Sequence, residues 1–548
     1  MHALMMHRDL RIIDILAFAA EAFPDQGIVA LRDAGGVHRA SYPELLARVI
    51  RLARALGRLG LGPGDRIATL AWNSDRHFEL YYGISGIGAV CHTLNPRLPP
   101  EQLAYIIGHA GDRALFVDPG LLPVLAALGD ALPAGIRIVV LAERDEMPDA
   151  APDALCYEDL LAAETAEDFD WPEFPETTAA GLCYTSGTTG RPKGALYSHR
   201  STVLHALMVL AGHPRSLRAG KRVLPVVPLF HVNAWGLPYT APLAGMTMVM
   251  PGRHLDGASL YDLMAAERVH SAWGVPTVWA GLLAEIERRG APPAGFADLV
   301  VGGSAAPRAM IAAFEAMGID VNQAWGMTEM SPIGTRGQLP PALEGADLDT
   351  RVDARLGAGR RLFGVEFKIV DEAGRRLPHD GKAVGELYVR GNTVISAYYD
   401  NPEATAAAFD AEGWFATGDI ASVDPQGRLV IRDRAKDLIK SGGEWISSID
   451  LENAAHSHPG IRACAVIAVP HPRWGERPLL VAVPAGEARP TLEEIHAHLA
   501  PRFARWQLPD DIVFVDELPL TATGKISKLA LRARFADHVL PEPRATGG

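Results

Sequence analysis

The sequence predicts an α/β fold: a large N-terminal domain of covered parallel sheets with a small β-rich subdomain, followed by a small α+β C-terminal domain. Three observations carry this expectation. Up to Tyr184, short apolar runs alternate with helical stretches, and such alternation implies a parallel sheet covered on both faces. Near Gly357 the texture shifts to short strand-like segments split by Gly, Asp and Pro turns, and after Asp433 it shifts again. The length of 548 residues also exceeds one ordinary core.

Ser41–Leu61 shows helical apolar spacing at Leu45, Leu46, Val49, Leu52, Leu56 and Leu59, behind a Ser41/Glu44 pair that reads as a capping box. A Gly/Pro turn then leads into a buried strand over Arg66–Ala71. His77–Gly88 is expected as a helix and Ala89–Leu94 as the next strand. Ala114–Val117, Ile136–Leu141 and Leu182–Tyr184 are further short apolar runs. In the β-rich part the expected strands are Glu366–Val370, Glu386–Arg390, Thr393–Tyr399 and Leu429–Arg432. Beyond Asp433, Ile449–Ser457 and Thr491–Leu499 read as helices, and Cys464–Val469, Leu480–Val483 and Ile512–Val515 as strands.

Composition narrows the function. A hydrophobic content of 48% with 21% charged residues is globular. The formal charge of −13 argues against a nucleic-acid partner, while a local basic groove for a nucleotide stays open. Cys91, Cys156, Cys183 and Cys464 lack C-x-x-C spacing, so reduced cytoplasmic thiols are expected, not a zinc site or a disulfide framework. The opening MHALMMHRDLRIID lacks the basic-then-apolar layout of a signal peptide. Val223–Gly252 carries no Asp, Glu, Lys or Arg, long enough to span a bilayer. Pro225, Pro228, Pro238, Pro242 and Pro251 break it, so a buried strand, turn and helix are expected instead. No integral membrane segment is expected, and peripheral membrane contact stays open.

The chemistry is organised around Tyr184–Gly194, YTSGTTGRPKG. Gly187, Gly190 and Gly194 let the backbone approach a ligand closely. Thr185, Ser186, Thr188 and Thr189 offer hydroxyls, the loop's N–H groups can form an anion nest, and Lys193 adds a charge suited to phosphate. A flexible surface linker seldom ends in RPKG directly behind a core strand. Pro192 also excludes a Walker A loop.

Four other stretches are less specific alone. Gln323–Pro332, QAWGMTEMSP, joins the indole of Trp325 to the hard oxygens of Thr328 and Glu329; by itself it fits a buried Trp with a capping Thr/Glu. Gly413–Ile420 places Asp419 after a Thr-Gly turn, where turn chemistry alone would explain it. Asp433–Ser448 combines a charged segment with Gly442, Gly443 and an exposed-looking Trp445. Leu518–Lys528 puts Lys525 after another Thr-Gly turn. In Phe230–Pro238, FHVNAWGLP, a core histidine and tryptophan are as well supported by pattern as a site. Val301–Pro307 misses the last glycine of a nucleophile elbow, and no G-x-G-x-x-G behind a strand or H-E-x-x-H occurs.

In this order, from Tyr184 to Lys528, the stretches resemble the adenylate-forming superfamily. Within it they are similar to medium- and long-chain fatty acyl-CoA synthetases and methylthiopropionate–CoA ligases. The resemblance implies that Thr185, Ser186, Gly187, Thr188, Thr189, Gly190 and Lys193 hold the ATP β/γ-phosphates, with Mg²⁺ on Thr185 and Glu329. It implies an adenine motif at Gln323, Ala324, Trp325, Gly326, Met327 and Thr328, although the aromatic there is more often Tyr. Asp419 with Arg434 would hold the ribose; Lys440 and Trp445 would close on the nucleotide. Gly302, Gly303 and Ser304 would line the pocket, Trp235 would gate an acyl tunnel, and His231 would sit over the carboxylate. Lys525 would be the mobile lysine that neutralises carboxylate and α-phosphate, the catalytic set being Lys525, Thr185, Glu329 and His231. The implied bounds are 1–432 for the first domain (β-rich part about 353–432), 433–438 for a hinge and 439–548 for a mobile lid domain.

The expected function is an ATP-dependent acid–thiol ligase. It would activate a medium- or long-chain fatty acid as acyl-AMP and pass it to coenzyme A, releasing AMP and pyrophosphate. A CoA ligase for a short thioether or aryl-alkyl acid, a free-standing acyl-AMP ligase with another acceptor, and a non-catalytic nucleotide-binding protein are the alternatives. ATP, Mg²⁺, coenzyme A and a carboxylic acid are the expected partners of a cytoplasmic homodimer.

Overall fold

The computed structural model describes residues 4–32, 35–149, 151, 153–185 and 191–541. Two seven-stranded, mostly parallel sheets form the first part of the chain. One runs in the order Leu155–Cys156, Arg137–Val140, Ala114–Val117, Arg66–Leu70, Val90–Thr93, Ala179–Thr185, Lys193–Ser198. Only its last pair is antiparallel, a hairpin with Thr185 opposite Lys193. Ser186–Gly190, the centre of the expected phosphate loop, lie outside the described residues. The hairpin therefore opens at the carboxyl ends of the neighbouring parallel strands, where α/β sheets bind ligands.

The second sheet runs Asp320–Gln323, Asp298–Val301, Ser271–Gly274, Arg222–Pro225, Thr247–Met250, Gly27–Leu31, Val37–Ser41. The charge-free stretch supplies two of its inner strands and the helix Leu237–Leu243 between them. This explains the missing charges: Val223, Leu224, Met248 and Val249 are fully buried. Among the described residues no helix is long and apolar enough to cross a membrane. The capping box forms as expected on Tyr42–Arg58: Ser41 N–H donates to Glu44 Oε2 at 2.7 Å, and Leu45, Val49, Leu52 and Leu56 face the core.

A six-stranded antiparallel sheet follows, beginning with Thr335–Arg336, upstream of the segment in which the sequence places it. One expected strand is absent. Thr393–Tyr399 is a chain of turns whose one backbone bridge to a sheet, among the described residues, is Tyr399 on Gly194. Its polar groups are spent elsewhere: Ile395 N–H donates to Glu329 O at 2.9 Å, and Thr393 O accepts from Ser331 Oγ at 2.9 Å. Asp419 also differs from expectation. It lies inside the strand Phe415–Val423, not beyond a turn. Gly418 there has φ +71°, and the register with Gly385–Gly391 shifts beside it. Such a bulge re-aims side chains near sites.

The last sheet joins Glu444–Ile446, Ile439–Ser441, Gly475–Pro484 and Ile461–His471, with Asp511–Phe514 pairing parallel to Gly475–Pro484. It has hydrophobic clusters of its own, one centred on Ile439, Leu451, Val466 and Leu480, the other on Ile467, Leu479 and Leu531.

Candidate active site

The phosphate hairpin is tied to the acidic turn by aromatic hydroxyls. Tyr197, on its second strand, donates to Thr328 O at 2.6 Å. Lys193 Nζ lies 5.0 Å from the centre of the Tyr398 ring, and Tyr398 donates its hydroxyl to Glu329 Oε1 at 2.7 Å. Burial pushes the Glu329 carboxyl above its ordinary range, against the pull of Tyr398, Arg434 and Lys193. The strand Ala179–Thr185 contacts the turn Thr328–Met330, and one carboxylate with one hydroxyl from these elements would be a donor set that suits Mg²⁺, which keeps waters and phosphate oxygens as its other ligands. Tyr398 carried no signal in the sequence. It lies in the segment misread as a strand.

Gly326 is required by its surroundings, since a Cβ there would lie 2.0 Å from Pro332 O. Gln323, expected among the nucleotide contacts, spends its side chain on structure: Oε1 accepts from Ala306 N–H at 3.0 Å and Nε2 donates to Arg355 O at 2.7 Å. Trp325 is 9% exposed, so contact with a purine would use only a strip of its ring. Its indole Nε1–H donates to Asp419 Oδ2 at 2.8 Å, and Arg434 Nε lies 2.7 Å from the other carboxylate oxygen. The structure thus brings Trp325 from a distant segment to Asp419 and Arg434, which face each other across two neighbouring antiparallel strands.

The acyl side is built on backbone strain. Val232, Asn233, Ala234 and Trp235 all have positive φ, between 42° and 58°, ahead of Gly236 at 82°. Left-handed turns of L-residues cost about 1–2 kcal/mol per residue, so packing must hold them. Asn233 Oδ1 accepts from Tyr81 Oη at 3.1 Å, and His205 lies 2.8 Å from where a Cβ on Gly236 would be. The turn lays Trp235 on Gly302, where a Cβ would come within 2.8 Å of the indole Cη2. Gly302 admits the ring because it has no side chain.

Lys525 arrives from the far end of the chain. Its backbone closes a turn, Thr521 N–H to Lys525 O at 2.7 Å, and Thr277 Oγ1 docks that turn by donating to Gly524 O at 3.0 Å. Asn95 Nδ2 adds a longer contact to Ala522 O at 3.4 Å. A Cβ on Gly303 would stand 3.0 Å from Lys525 Cε, which puts the aliphatic stem against that glycine. Burial, then the nearby Arg434 and Lys436, lower the ammonium pKa to about 8, against the opposing pull of Asp419. Burial first, then the Lys525 and Arg97 charges, hold His231 near 3, so its imidazole is neutral at pH 7.

Thr185, Lys193, His231, Trp235, Gly302, Gly303, Trp325, Thr328, Glu329, Asp419, Arg434 and Lys525 thus sit on segments linked by contacts with one another. Ala324 and Met327 pack on the core, and Ser304 is exposed beside the glycines. Lys440 and Trp445 are not brought in. Lys440 Nζ lies 4.3 Å from the centre of the Trp445 ring and 3.8 Å from Glu372, and Trp445 is 38% exposed on the face of the last sheet.

Residues 16–399 match the AMP-binding enzyme family, and residues 450–525 match the AMP-binding enzyme C-terminal domain. The chain belongs to the AMP-binding enzymes, the adenylate-forming superfamily. The 3-methylmercaptopropionyl-CoA ligase of Ruegeria lacuscaerulensis is 48% identical to this AMP-binding enzyme over 97% of this chain and 98% of its own. The medium-chain-fatty-acid–CoA ligase of Ectopseudomonas oleovorans is 46% identical, covering 98% of each chain. The long-chain-fatty-acid–CoA ligase of Thermus thermophilus is also 46% identical, covering 97% of each. The crystal structure of the anthranilate CoA ligase AuaEII with anthranoyl-AMP matches at a TM-score of 0.85 and 25% identity, over 98% of this chain and 99% of that one.

Proposed function

We propose that this AMP-binding enzyme is an ATP-dependent acyl-CoA ligase acting on a medium- or long-chain fatty acid. The observation that carries this reading is Lys525: a half-buried cation from residue 525 seated against Gly303, beside His231 and facing the Trp325–Asp419 nucleotide side. A carboxylate is a poor acyl donor because its oxygen leaves badly. When that oxygen attacks the α-phosphorus of ATP, pyrophosphate leaves and an acyl-AMP forms. The ammonium of Lys525 offsets the charge gathering there by position and electrostatics. Neutral His231 can donate a hydrogen bond to the carboxylate without repelling Lys525. The thiol of coenzyme A then attacks the acyl-AMP carbonyl, and AMP leaves.

Thr185 and Glu329 would hold Mg²⁺, which would supply charge neutralisation on the ATP phosphates. Residues 1–432 would act as the adenylation domain, 433–438 as hinge and 439–548 as lid, the lid turning Lys525 away and Lys440 and Trp445 inward for the thiol step. The free, buried cysteines fit a cytoplasmic location, and a homodimer is the assembly to be checked by light scattering. The 48% identity with a 3-methylmercaptopropionyl-CoA ligase favours a second substrate reading, a short thioether acid. AMP release measured with coenzyme A across acids from C3 to C18, with methylthiopropionate included, tests both. Activity confined to short acids removes the fatty-acid reading, and AMP release without coenzyme A removes the ligase.

A further inference from the structure

The contact between the adenine motif and the ribose carboxylate carries a role for Trp325 beyond packing on a purine. We propose that Trp325 is a positioning residue whose indole N–H fixes the Asp419 carboxylate for the ribose hydroxyls of ATP. The inference rests on the reading of Asp419 as the ribose acceptor.

Asp419 is 2% exposed and sits on the bulged strand Phe415–Val423, a place where a carboxylate needs partners to hold one rotamer. Trp325 Nε1 supplies one, 2.8 Å from Oδ2. Arg434 Nε lies 2.7 Å from Oδ1, yet no donor among the described residues is aligned on that oxygen as a hydrogen bond. A carboxylate offers about four lone-pair sites, two on each oxygen. With one on Oδ2 committed to the indole and Arg434 compensating the charge, at least one acceptor site remains on each oxygen. That is enough for the two hydroxyls of a ribose.

The two partners differ in what they are attached to. Arg434 ends the strand Arg428–Arg434 and lies within residues 433–438, the segment proposed as hinge, so its geometry follows that segment. Trp325 is anchored in the body of the chain: its N–H donates to Thr335 Oγ1 at 2.9 Å, its carbonyl accepts from Gly334 N–H at 2.9 Å, and Phe367 meets the ring edge-on at 5.9 Å. A tyrosine or phenylalanine ring has no N–H to place at the indole's position. In this chain the aromatic residue of the adenine motif thus joins the base side of the nucleotide site to its sugar side.

The test is a comparison of ATP with 2′-deoxy-ATP and 3′-deoxy-ATP in pyrophosphate exchange, for the wild type, Trp325→Phe and Asp419→Ala. Losing a hydrogen bond to a charged group should lower kcat/KM for ATP roughly ten- to a hundredfold in Trp325→Phe, with much smaller losses for the deoxy analogues. The ATP-to-deoxy-ATP ratio should therefore collapse toward one in both variants. Equal losses on ATP and its deoxy analogues in Trp325→Phe, with the ratio kept, would overturn the positioning role. If Asp419→Ala itself keeps the ratio, the ribose reading fails and the proposal with it. Should Trp325→Phe not fold, benzothienylalanine at position 325, which keeps the ring shape and replaces N–H by sulfur, gives the same comparison.

Discussion

Lys525→Ala separates the two chemical steps, and the structure sets the size of the effect. In the turn Thr521–Lys525, docked by Thr277 on Gly524, the ammonium is held where its own solvation is poor, which is why its pKa falls to about 8. At about 4 Å and an effective dielectric of about 20, an ammonium and a phosphate oxygen attract by about 4 kcal/mol. Removing one preorganised donor of this kind typically costs about 3–4 kcal/mol, or two to three decades in rate. Adenylation measured by single-turnover acyl-AMP formation should fall by that much, with circular dichroism confirming the fold. Thioester formation from supplied acyl-AMP and coenzyme A should stay near wild type, since the proposed rotation would carry Lys525 away. The pH dependence gives the same information without mutation. Only the protonated lysine helps, and its pKa is lowered, so kcat/KM for ATP should decline as pH rises through about 8. Lys525→Arg should move that limb to higher pH. Normal adenylation by Lys525→Ala, or a flat profile through pH 9.5, would refute the role.

Other variants probe the remaining walls. Trp235→Ala should raise KM for the preferred acid by roughly 1–3 kcal/mol, the value of a few methylenes losing their wall; unchanged kinetics across the acid ladder in a folded protein would count against the pocket. Asp433→Pro should spare adenylation and cripple the thiol step by fixing φ. Because Asp433 also accepts from Ser448 N–H at 2.6 Å and Ser448 Oγ at 2.7 Å, Asp433→Ala serves as the control that loses these bonds but keeps backbone freedom. Equal losses in both steps for Asp433→Pro would refute a hinge role. Tyr398→Phe removes the hydroxyl that restrains the already raised Glu329 carboxyl, so the acid limb of activity should move to higher pH and half-saturation by Mg²⁺ should rise; an unchanged Mg²⁺ titration would separate Tyr398 from the metal.

Sequence by itself determined what is encoded in short windows. The Ser41/Glu44 box, the strand that ends at Thr185, and the buried 223–252 stretch each follow from spacing, capping chemistry or proline placement, all local in the chain. The motif order from Tyr184 to Lys528 likewise singled out segments that lie far apart in the chain. Tertiary structure alone decided how they meet. Asn95 and Ala522 touch across 427 positions, and Trp325 and Asp419 across 94. No periodicity encodes such pairs, because they result from many small packing terms summed over several sheets. The same cause explains the misreadings. Thr393–Tyr399 has strand-forming residues, yet its backbone bonds go to the Glu329 turn and the phosphate hairpin. The left-handed run at Val232–Trp235 is disfavoured locally at Val232, Ala234 and Trp235 and is held by contacts with Tyr81, His205 and Gly302.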